Sequence, residues 1–82
     1  MKNTNSIKYK DDLISVDLKI GYLRRQKGMT QEQLAEKAGI SSGFLSQVEA
    51  PNMVMGISLA TLFALADALE VPPSKLLEYK LP

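Results

Sequence analysis

The stretch TQEQLAEKAGISSGFLSQVE, Thr30 to Glu49, constrains the fold of this chain more than any other. It holds two helical patterns of about eight residues each, one on either side of Gly39. Thr30 can accept from the exposed amides of a helix start, and Gln33 three residues later completes a capping box. Met29 before the cap and Leu34 after it form a hydrophobic staple. Leu34, Ala35 and Ala38 supply the apolar face, and Gly39 ends it. Ser41 caps the next helix, with Ile40 and Leu45 as its staple and with Leu45 and Val48 turned to the core. A link that short, with alanines at the contact, makes the helices cross steeply instead of lying antiparallel.

Turn punctuation cuts the rest of the chain into further helices. Residues 1–12 read as a loose polar arm, and residues 13–82 as a single domain. Leu13, Val16, Ile20 and Leu23 recur at spacings of three and four, and the pattern runs to Lys27. Gly28 then stops the helix as a left-handed cap. Ala50 to Ile57 read as a loop containing Pro51 and Gly56. Ser58 caps a fourth helix, stapled by Ile57 and Leu62, whose apolar face carries Leu59, Leu62, Phe63, Leu65, Ala66 and Leu69. The Pro72-Pro73 pair breaks the chain, and a short fifth helix around Ser74 to Tyr79 brings Leu76 and Leu77 to the core. No alternating strand pattern, internal repeat or low-complexity segment interrupts this reading. The expectation is an all-α, five-helix domain.

Composition narrows the function. At 82 residues there is chain for one core, and 45% hydrophobic residues suffice to fill it. The absence of cysteine and histidine removes disulfides, the common zinc sites and the usual nucleophilic pairs. The glycines stand singly and form no phosphate loop. Glu32 and Glu36 share an exposed helix face and read as solvation. No catalytic residue, metal site or cofactor is therefore expected. The polar start MKNTNSIKYKDD and the lack of an apolar run near ~20 residues point away from membranes and to a cytoplasmic protein. Net charge is only +1, from ten basic and nine acidic residues. Lys2, Lys8, Lys10, Lys19, Arg24, Arg25 and Lys27 nevertheless crowd the first third, opposed there by Asp11, Asp12 and Asp17. Attraction to a polyanion must lean on that end of the chain.

Two short helices crossing steeply form the geometry of a helix-turn-helix, whose second helix enters a major groove about 12 Å wide. The chain resembles the lambda-repressor-like, Cro/CI-type (xenobiotic-response-element type) helix-turn-helix family. LRRQKGMT from Leu23, TQEQLAEKAGIS, FLSQVE, and SLATLFALADALEVPPSKLL from Ser58 to Leu77 carry the resemblance. It implies a compact lambda-repressor-like DNA-binding domain with helices 2 and 3 as the motif. The implied function is sequence-specific transcription regulation of repressor or controller type, by a homodimer on a short palindrome in double-stranded DNA. Gln31 is implied as a phosphate ligand at a helix start. Ser42, Gly43, Ser46 and Gln47 take the base-reading positions, and Gln47 leads because its amide can pair bidentately with adenine. Gly43 costs a helix roughly 1 kcal/mol, which either a close backbone approach to DNA or a frayed first turn explains. Phe44 touches a thymine methyl or covers a sugar, and Arg25 and Lys27 form a phosphate patch or a solvated face. Arg24 and Glu49 match a family ion pair joining the first helix to the third.

Two departures from the family pattern stand out. Glu49 is followed by Ala50-Pro51 where an arginine and a glycine are usual, and the recognition helix contains no Arg or Lys. The loop 52–57, NMVMGI, is also unusually apolar. Met53, Val54 and Met55 therefore suggest an alternative: an antitoxin-like or other protein-interaction module that uses this loop and the C-terminal helices. For a homodimer, Leu76, Tyr79 and Leu81 are the contact candidates.

Overall fold

The computed structural model describes residues 8–51 and 53–78, and among these it shows five helices and no strand. They are α1 (Lys10–Gln26), α2 (Gln31–Ala38), α3 (Ser42–Glu49), α4 (Leu59–Leu69) and α5 (Pro73–Leu76).

Helix α1 begins inside the stretch expected as an arm. Asp11 and Asp12 occupy its first turn and Arg24 and Arg25 its last, each favourable to the helix dipole, so the helix extends before Leu13. The remainder of that expected arm, residues 1–7, lies outside the described residues. The chain leaves α1 through Gly28 at φ 73°.

The three short-range caps form as the sequence implies. Thr30 Oγ1 accepts from Gln33 N–H at 3.0 Å while Gln33 Oε1 accepts from Thr30 N–H at 2.8 Å. Ser41 accepts from Phe44 N–H, and Ser58 from Thr61 N–H, each at 3.0 Å. Gly39, at φ 73°, ends α2 in the left-handed region. There Ile40 N–H donates to Ala35 O and Gly39 N–H to Glu36 O, which closes the last turn within three linking residues. Helix α3 stops at Ala50, held extended at φ −70° and ψ 128° because Pro51 follows it.

The C-terminal half departs more from expectation. Helix α4 ends on Glu70 at φ 59°, a left-handed position filled without glycine. Helix α5 is a single turn with Pro73 leading it.

All five helices contribute to one core. Ile20, Leu34, Leu45, Leu65, Leu69 and Leu76 are each 0% exposed. Helix α2 packs on α3 and α4, α1 crosses α3, and α5 closes against α4 and α1. Three residues expected inside are outside: Leu59, Phe63 and Leu77 are all exposed. Helix α4 is apolar almost all round, so periodicity cannot choose its inner face. A one-turn α5 seats one leucine of a pair, and that one is Leu76. The dimer-contact expectation for Leu76 is thereby corrected, since a fully buried side chain has no surface to offer a second copy.

Candidate nucleic-acid interface

Helix α3 divides sharply into two faces. Leu45 and Val48 are 0% exposed, and Phe44 is half-buried against the same core. Ser42, Gly43, Ser46 and Gln47 are all exposed. The four positions expected to read bases thus share the solvent side of a helix that its other side anchors. Phe44 spends part of its ring on packing, which leaves only its outer part for a sugar or a methyl group.

Glu49, the last residue of α3, fixes that anchor. Its carboxylate accepts from Arg24 Nε at 2.8 Å and Nη2 at 2.9 Å, and from Gln31 Nε2 at 3.1 Å. Arg24 also donates through Nη1 to Met29 O at 2.7 Å. The ends of α1 and α3 and the start of α2 therefore meet at one carboxylate. Both charged side chains are withdrawn from water, 12% and 5% exposed, so the pair is tolerable only because it is bidentate and further hydrogen-bonded. Gly21 makes room for it: a Cβ there would lie 3.2 Å from Glu49 Cδ and from Oε1.

Gln31, expected at a phosphate, is placed beside Glu49 at the N-terminus of α2 and is half-buried. An amide carries two N–H donors, and this bond uses one of them. Arg25 and Lys27, at the end of α1, are exposed. Met53 and Val54 are exposed, whereas Met55 is half-buried and packs against the core. The dimer candidates Tyr79 and Leu81 lie outside the described residues.

Asp17 is the residue that sequence reading passed over. It is 2% exposed, and its Oδ2 accepts from Met55 N–H at 3.3 Å. Burial pushes its carboxyl up from 3.8 to about 6, and the Met55 amide offsets part of that rise. Its place was visible in the spacing, four residues after Leu13 and three before Ile20, on the apolar stripe itself.

Among the described residues no group of three or more carboxylate, imidazole or thiol side chains could hold a metal ion. None of the described helices is long and apolar enough to cross a membrane.

A fully buried inner face, an exposed polar outer face and a three-residue turn define α2 and α3 as a helix-turn-helix unit. The helix-turn-helix family profile matches residues 20–76, which spans α2 to α5 and the second part of α1. The chain belongs to the Cro/CI-type helix-turn-helix family and is a DNA-binding transcriptional regulator. Among solved structures it is similar to the restriction-modification controller protein C.AhdI from Aeromonas hydrophila, at 32% sequence identity and a TM-score of 0.73. The likeness covers 79% of this chain and 96% of that one. No curated protein sequence matches.

Proposed function

We propose that the chain is a cytoplasmic, controller-type repressor that binds a short palindromic operator as a homodimer, with α3 in the major groove. One observation carries the reading: Ser42, Gly43, Ser46 and Gln47 are exposed together on a helix whose other face is locked into the core. Similarity to a restriction-modification controller protein supports the controller assignment. Gln47 supplies the leading base contact through its amide, and Gln31 turns its second N–H to a phosphate. Arg25 and Lys27 add phosphate contacts beside it. Phe63, exposed on α4, joins Tyr79 and Leu81 as a contact candidate between copies. Two copies place their α3 helices about 34 Å apart, one turn of duplex. The role is recognition, and no bond is made or broken.

Selection from random duplexes tests this directly. The expected result is an enriched palindrome with half-sites about one helical turn apart. On that site Gln47→Ala should cost about 1–3 kcal/mol and relax base choice at one position per half-site. A pool that stays unenriched rejects the proposal.

A second reading is favoured by the exposed pair Met53 and Val54, which lie directly after the recognition helix. Here the segment captures a protein partner, as an antitoxin-like module would. Co-purification with a stable partner, lost on Met53→Asp with Val54→Asp but kept on Gln47→Ala, distinguishes it from DNA binding.

A further inference from the structure

Between α1, the segment 53–58, the start of α4 and Leu77, just after α5, lies an open groove of about 270 Å³. Leu13 and Val16 line it from α1, Met55 and Ile57 from the segment, and Leu62 from α4. The well-exposed Leu59 and Leu77 line it too. Asp17 is set into this apolar surface, and it is the one ionisable residue among those that line the groove. Its described partner is a neutral backbone amide, Met55 N–H.

That combination selects the chemistry of an occupant. A carboxylate in an apolar wall is costly unless an opposite charge reaches it, which is why its proton is held up to about 6. A wholly apolar filler would exclude more water and leave the charge stranded. A ligand with an ammonium end pairs with the carboxylate through a charge-assisted hydrogen bond, and its tail takes the leucine, valine and isoleucine walls. The volume sits just below the roughly 300–1,000 Å³ of drug-sized pockets, so the ligand is small. We propose that the groove is a binding site for small primary ammonium ions bearing an alkyl or aryl tail, with Asp17 as the counter-charge. The assignment is independent of how α3 meets DNA.

Titration of the full chain with hexylammonium chloride and, separately, 1-hexanol tests the site, read by calorimetry and by methyl shifts of Met55, Ile57 and Leu62. The ammonium should bind about tenfold more tightly near pH 7.5, the worth of one charged hydrogen bond. The preference should fade near pH 4.5, where the carboxyl carries its proton. Asp17→Asn should abolish the preference while 1-hexanol binding persists. Leu59→Lys, in the exposed part of the wall, should weaken hexylammonium binding more than 1-hexanol binding, because it adds a cation beside the groove as well as removing apolar lining. Equal affinity for the two ligands near pH 7.5 overturns the proposal, as do shifts confined to other surfaces. Sedimentation at rising concentration covers the rival occupant. Self-association that shields the same methyls and is lost in Asp17→Asn would assign the groove to a lysine of a second copy, and would also overturn it.

Discussion

At Gly43 an added methyl group would meet nothing within 4 Å, and the backbone there is already helical. Gly43→Ala should therefore raise stability by about 0.5–1 kcal/mol, seen as a shift in the denaturation midpoint. If the backbone of α3 lies close to DNA, the same variant should bind its operator more weakly while folding better. A frayed first turn would give the stability gain with no loss of binding. Asp17 works in the other direction. Below its unfolded value near 3.8 the carboxyl is protonated in both states, and burial costs it no charge. As pH rises from there towards about 6 the unfolded chain ionises it while the folded state keeps its proton, and on the order of 2–3 kcal/mol of stability is lost by neutral pH. Asp17→Asn should accordingly gain on the parent chain near pH 7.5 and lose that advantage near pH 3.5, in paired denaturant titrations.

The elements differ in how plainly the sequence declares them. Thr30, Ser41 and Ser58 were legible as caps because a cap and the amide that donates to it lie three residues apart, and local chemistry decides the outcome. Glu70 was not, because nothing in a glutamate marks it for the left-handed region, although Glu70 N–H and Val71 N–H close the end of α4 on Asp67 O and Ala66 O just as the residues around Gly39 close α2. Glu70→Gly should relieve that strain and stabilise the domain by about 0.5–1 kcal/mol, measured as a raised melting temperature. The inner face of α4 was equally hidden. Leu59 and Phe63 are as apolar as Leu62 and Leu65, and only the shape of the neighbouring helices separates them. At the interface, the positions on α3 and the Arg24–Glu49 pair followed from the resemblance to a family. The bond from Gln31 to Glu49, across eighteen residues, did not, since no short-range pattern encodes it.

For the whole molecule, charge placement sets how binding responds to salt. The chain carries a net charge of +1, and α3 holds no basic residue. The proposed phosphate contacts that carry charge fall to Arg25 and Lys27, two in each copy of the proposed dimer, since Gln31 is neutral. Each neutralised phosphate contributes about −0.9 to the slope of log affinity against log salt, so a slope of roughly −4 is expected. Arg25→Ala with Lys27→Ala should bring it close to zero, and mobility-shift titrations at several ionic strengths would measure both. A steep slope surviving both substitutions would place the phosphate contacts on other residues.

Pro51 carries a consequence for information content. By forbidding another turn after Glu49, it holds α3 to eight residues, about 12 Å of rod and no longer than the groove is wide. Such a rod would spell out only about three or four base pairs, a word that chance repeats roughly every 60 to 260 positions in a genome. Two copies on the proposed palindrome would square those odds. Pairing would therefore supply the rarity that so short a reader lacks by itself.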